Sequence, residues 1–371
     1  MAFSREGFTI DVVSRFARKA LFNPAVVLLI ALPWALMYSE PYLPINPVLL
    51  TRLPKPEWPW IIVGSVWGLF ALTLHMNDYL NDAYANNWTM DNTWNWNEET
   101  VLVTGGSSGI GANVVQNLLT RNPNTTIIVL DYTPLKWTPP PKSKIHYYQC
   151  DLSNSATIRN VSAKVRSEVG NPTVLMNNAG LARGSTVMEG SYADVEATIR
   201  TNLIAPFLLT KEFLPYMVKK NHGHVVNMSS MSSIMPPARI ADYAATKAGL
   251  NALHESLQLE LKNMHKAPKV RLTLGIFSFI RTPMFKGETK MSNFFFPLLH
   301  VETVGEQLVD ILYSGRGRTL YMPGIARFLH TLRALPEWLI RIARDGSRKM
   351  GVDFRGRQRL DEKTGGLAYE R

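Results

Sequence analysis

The chain has 371 residues and a mass of 41.8 kDa, which allows one large domain with extensions or two modest domains. Hydrophobic residues make up 46% and charged residues 19%, so a large core can form, and disordered and fibrous classes are excluded. The single cysteine, Cys150, excludes an intramolecular disulfide and a metal site built from several cysteines. Much of the net charge of +11 lies in residues 316–371, which carry 13 Lys and Arg against 6 Asp and Glu. Such a basic tail can bind nucleic acid or an anionic membrane surface.

Two uncharged segments occupy the first part of the chain, at residues 20–39 and 58–77. A membrane-spanning helix needs about 20 apolar residues, and both segments reach that length although two prolines interrupt the first. No small-residue cleavage site follows the first segment, which is atypical of a secretory signal. We therefore interpret residues 1–77 as a membrane-anchoring hairpin, with a buried helical hairpin of a soluble protein as the alternative.

The basic residues in front of the first segment predict the orientation of this anchor. The positive-inside rule leaves their side of the membrane in the cytosol. Two crossings, or a hairpin within one leaflet, then return the main domain to the cytosolic side. Residues 78–99, rich in Asn, Asp and Trp, are interpreted as a polar linker to that domain. The basic residues are Arg5, Arg15, Arg18 and Lys19.

From Thr100 the sequence alternates short apolar runs with helical stretches, which predicts strand–helix units around a parallel sheet. The first run, residues 101–103, leads into a glycine-rich loop and a helix. Glycines let the backbone approach a pyrophosphate closely, and a helix start offers free N–H groups. An ordinary tight turn is the alternative for the glycine cluster taken alone. The candidate cofactor-binding residues of this loop are Thr104, Gly105, Ser107, Ser108, Gly109, Ile110 and Gly111.

The second predicted strand, residues 126–130, ends in Asp131. A carboxylate at this position can accept hydrogen bonds from the adenine ribose hydroxyls and repels a 2′-phosphate. No arginine follows Asp131 directly. The sequence therefore favours NAD(H), with NADP(H) as the alternative cofactor and an ordinary loop aspartate as the alternative role.

Tyr243 and Lys247 are four residues apart in a predicted helix, which places them on one face. A free tyrosine has a pKa of about 10, and a nearby ammonium lowers that pKa toward neutrality, where the phenol can act as a base. A solvated helix face is the usual meaning of such a pair. Ser230 stands 13 residues earlier, at the end of an apolar strand, where its hydroxyl can hydrogen-bond a substrate oxygen. The three residues together predict an acid–base site.

The glycine spacing Gly-x-x-x-Gly-x-Gly and the motifs downstream resemble the short-chain dehydrogenase/reductase family over residues 100–325. The resemblance implies a doubly wound Rossmann-type parallel sheet and hydride transfer with a nicotinamide cofactor. It implies that Tyr243 is the acid/base, that Lys247 also holds the nicotinamide ribose, and that Ser230 orients the substrate. Asn202 matches the family's asparagine in a proton relay through water. No metal is expected, because the eight histidines show no ligand spacing.

The same resemblance implies further cofactor contacts. Asp151 and Leu152 match positions that contact the adenine, and Thr282 matches the residue that hydrogen-bonds the nicotinamide carboxamide. One motif departs from the family, because Phe277 and Ser278 replace the usual Pro-Gly, which leaves the backbone path beside the nicotinamide open. The motif that closes the fourth strand supplies Asn178, Ala179 and Gly180.

Two regions bear on the substrate and the membrane. Residues 285–300 match the family's variable substrate lid, and their three consecutive phenylalanines favour a lipophilic alcohol or carbonyl, unless they only pack the lid down. Residues 326–371 interleave apolar residues at helical spacing with arginines, which is typical of a membrane-surface helix. A helix docked on the core is the alternative. Anchor and extension together resemble the membrane-bound retinol dehydrogenases and lipid-droplet 17β-hydroxysteroid dehydrogenases, which implies retinoid, steroid or fatty alcohol substrates at the endoplasmic reticulum or lipid droplets.

The sequence thus predicts a membrane-anchored, cytosol-facing oxidoreductase for NAD(H) and lipophilic alcohols or carbonyls. One alternative is an NADPH-dependent reductase of retinal or a keto-lipid, and another is a membrane or lipid-droplet scaffold for which catalysis is dispensable. The family resemblance implies a homodimer formed through the helix at residues 241–265. Nucleic acid is not an expected partner, because no binding module accompanies the arginines.

Overall fold

The computed structural model describes residues 4–29, 58–284 and 291–345, and the backbone of two short segments at 358–360 and 367–369. It divides into two compact units, one formed by Met1–Gly7 with Ala85–Arg371 and the other by Phe8–Tyr84. The predicted boundaries at residues 77, 99 and 325 stay predictions.

Seven parallel strands form the sheet of the larger unit, in the order β3-β2-β1-β4-β5-β6-β7. This confirms the predicted doubly wound parallel sheet. The order reverses beside β1, and ligands of such sheets bind in the crevice outside the carboxyl ends of the strands at that point. The strands are β1 (Thr100–Thr104), β2 (Thr126–Asp131), β3 (Ile145–Gln149), β4 (Val174–Asn177), β5 (Gly223–Ser230), β6 (Val270–Phe277) and β7 (Thr319–Met322).

Helices cover both faces of the sheet, and side-chain alternation along the strands produces two cores. In β1, Leu102 packs into one core and its neighbours Val101 and Val103 pack into the other, because successive side chains of a strand point to opposite faces. Strands covered on both faces read as continuous apolar runs, which is why the sequence pattern predicts them well. The covering helices, numbered after two helices of the smaller unit, are α3 (Gly109–Arg121), α4 (Ser155–Glu168), α5 (Tyr192–Ile199), α6 (Ala205–Lys220), α7 (Ala241–Leu259) and α8 (Val301–Tyr313).

The smaller unit contains α1 (Ile10–Ala20) and α2 (Trp58–Ala85). With 28 residues, α2 is long and apolar enough to cross a membrane, and no other helix among the described residues meets that criterion. It begins where the second predicted segment begins but continues past residue 77 to Ala85. The first part of the predicted linker is therefore helical. From residue 30 onward, the first predicted segment lies outside the described residues.

Among its described residues, the C-terminal extension has two short α-helices, α9 (Leu329–Leu332) and α10 (Glu337–Asp345), separated by a turn. The sequence predicts a longer amphipathic stretch, and residues 346–357 and 361–366 of it lie outside the described residues. Two short antiparallel strands, Gln358–Leu360 and Leu367–Tyr369, follow. Amphipathic character is visible on α10, where Trp338 and Ile342 are both 62% exposed.

The rest of the predicted linker, residues 86–99, packs against the sheet through a buried arginine of β6. The Arg271 guanidinium donates hydrogen bonds to the backbone carbonyls of Asn86 at 3.0 Å, Thr89 at 2.9 Å and Gly315 at 3.1 Å. Burial lowers the pKa of Arg271, and carbonyl acceptors offset part of the cost of burying the charge. These bonds make residues 86–99 part of the larger unit rather than a free linker.

A histidine between two carboxylates completes this attachment. His222 Nδ1 lies 2.7 Å from Asp91 Oδ2, and its Nε2 lies 3.3 Å from Glu99 Oε2. The hydrogen bond with Glu99 raises the pKa of His222 above its ordinary value of 6.5, against the effect of burial. Burial alone would raise the pKa of Asp91 and Glu99, but the pKa of each is lowered, with hydrogen bonds to His222 among the causes. The stability from protonated His222 is therefore complete below pH 6.5 and is lost as pH rises through its folded pKa.

We expect His222→Gln to flatten the dependence of stability on pH above neutrality. The unfolding temperature of the wild-type chain in detergent should fall from about pH 6 to about pH 9, and that of the variant should fall less. Thermal unfolding followed by circular dichroism measures both. His265→Gln, which changes an exposed histidine, is the matched control and should leave the wild-type slope unchanged. Equal slopes in wild type and His222→Gln would contradict the linkage.

Candidate active site

One cavity of about 570 Å³ opens at the carboxyl ends of the strands, which is within the usual size range of ligand pockets. Its wall brings together the glycine loop after β1, the ends of β2, β4 and β5, and the start of α7. The predicted site residues that line it are Gly105, Ser108, Gly109, Ile110, Asp131, Asp151, Leu152, Asn178, Ala179, Gly180, Ser230, Tyr243, Lys247 and Thr282.

Four predicted residues, Thr104, Ser107, Gly111 and Asn202, are absent from the described lining. Gly111 has a packing role, because a Cβ there would lie 2.3 Å from the carbonyl oxygen of Gly105. Thr104 Oγ1 accepts hydrogen bonds from the backbone N–H groups of Asn178 and Ala179, each at 3.0 Å. These contacts fasten the glycine loop to the end of β4, so Thr104 and Gly111 shape the cavity without lining it.

The start of α3 fits a pyrophosphate. Ser108 is the N-cap of α3, and its side chain makes no capping hydrogen bond, so the first N–H groups of the helix are not satisfied by a side-chain cap. Gly109 has a φ of +59°, and a Cβ there would come no closer than 3.7 Å to another residue. A helix N-terminus with a glycine beside the cavity is a ready anion site. The residues present therefore fit the phosphates of a dinucleotide.

Asp131 stands at the other side of this loop, at the end of β2. Its carboxylate accepts hydrogen bonds from the backbone N–H of Ser107 and of Thr133, both at 2.9 Å. The carboxylate is thus held beside the glycine loop and lines the cavity, which fits contact with a ribose. The sequence reasoning missed Lys136, which lines the same end of the cavity because the loop after β2 turns back over the glycine loop.

The predicted acid–base residues meet at the opposite end of the cavity. Ser230 ends β5, and its hydroxyl forms a hydrogen bond with Tyr243. Tyr243 and Lys247 lie in the first two turns of α7, with Lys247 Nζ 5.4 Å from the centre of the tyrosine ring. Ser230 Oγ also accepts the N–H of Ser232 at 3.2 Å, which fixes the hydroxyl position. The predicted three residues therefore share one corner of the cavity.

The charges in this corner differ from the sequence expectation. Burial raises the pKa of Tyr243, although the hydrogen bond with Ser230 acts in the lowering direction. Burial also lowers the pKa of Lys247 to about 8. The ammonium donates to the backbone carbonyl of Met228 at 2.7 Å rather than to the phenol. The prediction of a lowered tyrosine pKa is wrong for this structure, because desolvation of the phenol outweighs a cation that points elsewhere.

Asn202 is fully buried in a π-helical turn, Arg200–Ile204, between α5 and α6. Its side chain accepts the N–H of Leu181 and donates to the carbonyl of Leu181, both at 2.8 Å. These two bonds fix the loop that follows β4, which forms part of the cavity wall. The structure thus gives the Asn202 side chain a positioning task, and its part in a proton relay stays a prediction.

The wall next to Tyr243 is largely apolar. Beyond the acid–base residues it includes side chains from the loop after β5, the lid and α9. Residues 285–290 of the lid lie outside the described residues. At the departure from the family motif, Phe277 continues β6 by pairing with Met322, and the Ser278 N–H donates to the carbonyl of Met322 at 2.9 Å. The apolar lining residues are Met231, Met235, Ile240, Phe279, Ile280, Met291, Phe296, Leu329 and Leu332.

Arg183 is a second lining residue that the sequence reasoning missed. It follows the motif that closes β4, is 3% exposed, and its Nε lies 3.0 Å from Asp194 Oδ1. Burial lowers the pKa of Arg183. In the sequence, only the position of Arg183 three residues after Gly180 indicates that it belongs to the site. The loop that contains both residues lines the cavity. Within the described residues, no group of three or more His, Cys, Asp or Glu is placed to hold a metal ion.

Comparisons with known proteins agree with this geometry. The family model for short chain dehydrogenases matches residues 99–293. Dehydrogenase RED2 of Cochliobolus heterostrophus is 34% identical over 228 residues, which are 61% of this chain and 85% of RED2. Retinol dehydrogenase 10 of Rattus norvegicus is 37% identical over 149 residues, 40% of this chain and 43% of that protein.

Two solved structures are similar in fold. A 4-hydroxyisoleucine dehydrogenase complexed with NADH has a TM-score of 0.52 at 22% identity, covering 60% of this chain and 97% of its own. A short-chain dehydrogenase from Sphingobium yanoikuyae in complex with NADPH has a TM-score of 0.52 at 21% identity, and the match covers 68% of this chain and 93% of that structure's chain. At these identities the likeness concerns the fold alone.

Proposed function

Because the chain belongs to the short-chain dehydrogenase family, whose oxidoreductases use nicotinamide cofactors, we propose that it transfers a hydride between NAD(H) and a lipophilic alcohol or carbonyl at a membrane. The observation that carries this proposal is one cavity with a helix N-terminus and Asp131 at one end and Ser230, Tyr243 and Lys247 at the other. A dinucleotide and an alcohol require those two ends together. Retinoid, steroid and fatty alcohols are the proposed substrate class.

The acid–base residues divide the proton work. When bound, the nicotinamide supplies or accepts the hydride at the carbinol carbon. Tyr243 gives its phenolic proton to the substrate oxygen in reduction and takes it back in oxidation, while Ser230 donates a hydrogen bond to that oxygen. In this proposal Lys247, whose pKa burial lowers to about 8, holds the cofactor ribose. Its ammonium donates its hydrogen bond to Met228 but lies 5.4 Å from the centre of the Tyr243 ring, close enough to favour the phenolate that forms after proton transfer. Asn202 holds the loop after β4 through its hydrogen bonds to Leu181. A part for Asn202 in a proton relay through water also belongs to this proposal.

Asp131 supports NAD(H) over NADP(H). Its carboxylate is oriented by two backbone N–H groups beside the glycine loop, where a 2′-phosphate would meet a like charge. Lys136 at the same end of the cavity favours the second candidate, an NADPH-dependent carbonyl reductase, since an ammonium can neutralise that phosphate. We favour NAD(H) because hydrogen bonds hold the Asp131 carboxylate in place beside the glycine loop.

The apolar cavity wall supports the proposed lipophilic substrate class. Helix α2 supports the proposed attachment to a membrane. Trp58 and Trp60 stand at the first turn of α2, and Tyr79 and Tyr84 stand near its last turns. Aromatic residues at both ends of an apolar helix are typical of a membrane span, where they sit at the headgroup level. The similarity to retinol dehydrogenase 10 points the same way. The endoplasmic reticulum or lipid droplets, a cytosol-facing catalytic unit and a homodimer belong to this proposal.

We expect Tyr243→Phe to lower turnover of the best substrate in a panel of retinoid, steroid and fatty alcohols by about 10²–10⁴-fold, because the proton donor is lost. NADH binding, measured by nicotinamide fluorescence, should stay near the wild-type value, since the ring remains. Tyr192→Phe, which changes a 93% exposed tyrosine, is the control. If Tyr243→Phe is as active as the wild type, Tyr243 is not the proton donor. If the wild-type chain oxidises only small hydrophilic alcohols, the proposed lipophilic substrate class is wrong.

We expect Asp131→Asn to raise NADPH affinity relative to NADH by roughly tenfold, equivalent to about 1.4 kcal/mol. The amide keeps one of the two oxygens, so it can still accept one of the two backbone N–H groups, and it loses the negative charge. Asp131→Ala removes both, so a comparison of the two variants separates the repulsion from the loop geometry. Binding titrations with both cofactors give the ratio, and an unchanged ratio in Asp131→Asn would refute the charge argument.

We expect Leu69→Arg with Leu72→Arg in α2 to release the chain from membranes in carbonate extraction. Each arginine at the centre of a spanning helix costs about 2.5–3.5 kcal/mol of insertion free energy. The matched control places the same two charges at the polar end of α2, as Asn77→Arg with Asn81→Arg, and should remain in the pellet. Retention of both variants in the pellet would show that α2 is not the anchor.

A further inference from the structure

The short helix α1 has one apolar face and one polar face. Its apolar residues recur at spacings of three and four, which gathers them on one side of a helix. Three of these, Val13, Phe16 and Leu21 just beyond its end, are 37%, 57% and 54% exposed. Scattered exposed apolar residues are ordinary, but three on one face of one helix form a patch. The opposite face carries Asp11, Arg15 and Arg18, with Ser14 and Lys19 at its borders.

Contacts within the smaller unit fix the level of α1 along α2. Arg18 forms an ion pair with Asp78 of α2. The carbonyl of Phe22, just after α1, lies 2.7 Å from Nε2 of His75 of α2. The ring of Phe22 meets Phe70 of α2 edge-on at 5.3 Å. The end of α1 is therefore beside the turns of α2 where the apolar sequence gives way to His75 and Asp78.

In a spanning helix this change from apolar to polar residues coincides with the boundary between acyl chains and headgroups. We propose that α1 lies in the plane of an anionic phospholipid surface, with Val13, Phe16 and Leu21 among the acyl chains and Arg15 and Lys19 toward the phosphates. The inference rests on the proposed membrane span of α2. It adds a second, amphipathic contact between the smaller unit and the same leaflet.

The charges of α1 select the kind of surface. Arg15 and Lys19 are exposed, whereas Arg18 is engaged with Asp78. A basic residue close to an anionic surface strengthens association about fivefold. Apolar faces of such helices sit about 5–10 Å into the boundary between headgroups and acyl chains. A neutral phosphatidylcholine surface offers the apolar contact alone, so phosphatidylserine is expected to deepen the insertion of α1.

The test places one reporter on the apolar face of α1 and one at the border of its polar face, in the full chain. Val13→Cys and Ser14→Cys are neighbours in sequence, and each is labelled with a fluorophore that is sensitive to polarity. The native Cys150 is 1% exposed, and burial raises its pKa to about 12, so it stays unlabelled in the folded protein. Both proteins are reconstituted into vesicles of phosphatidylcholine with and without phosphatidylserine, and quenching by spin-labelled acyl chains is measured.

We expect the label at position 13 to be quenched several-fold more than the label at position 14, and more so with phosphatidylserine. Arg15→Gln with Lys19→Gln in the Val13→Cys chain should reduce that quenching to the phosphatidylcholine level. Equal quenching at both positions, in chains that have entered the vesicles, would overturn the inference and leave the α2 span intact. Failure of the chain to enter vesicles at all would overturn the span and the inference together.

Discussion

The site depends on the close packing of the glycine loop against the end of β4. A Cβ at Gly111 would lie 2.3 Å from the Gly105 carbonyl and 2.6 Å from Asn178 Nδ2, so no other residue fits there without moving the loop. Asn178 in turn donates from Nδ2 to the carbonyl of Thr104 at 2.9 Å. This packing aims the start of α3 at the cavity and holds the Ser107 N–H where it orients Asp131. The cofactor end of the cavity is therefore set by backbone contacts before any ligand is bound.

The acid–base end is set by burial instead. Tyr243 and Lys247 are carried into the interior by the first turns of α7, and burial disfavours the charged form of both, raising one pKa and lowering the other. Titratable groups that burial perturbs inside a cleft are candidates for a functional site, which is the setting that the proposed acid–base role requires. Ser230 supplies the one hydrogen bond that acts against burial of the phenol. A polar substrate oxygen in this corner would find donors already oriented toward it.

Sequence reasoning predicts those parts of the molecule that depend on local pattern. The strands are predicted from apolar runs. The spacing of Gly105, Asp131 and Tyr243 along the chain predicts that they belong to the site, and all three line the cavity. Sequence reasoning does not predict the ionisation of Tyr243 or the positions of Arg183 and Arg271. The direction of a pKa shift depends on the balance of burial and partners, and residues distant in sequence supply both. A buried arginine such as Arg271 looks like any surface arginine until Asn86 and Gly315 are known to surround it.

The same limit explains why the predicted linker is part of the folded unit. Its composition is polar, and polar composition usually means solvation, but Asp91 and Glu99 are buried around His222. Buried carboxylates persist only when they are paired or hydrogen-bonded. The chain between α2 and β1 is therefore held at both ends, by Arg271 near Asn86 and by His222 near Glu99.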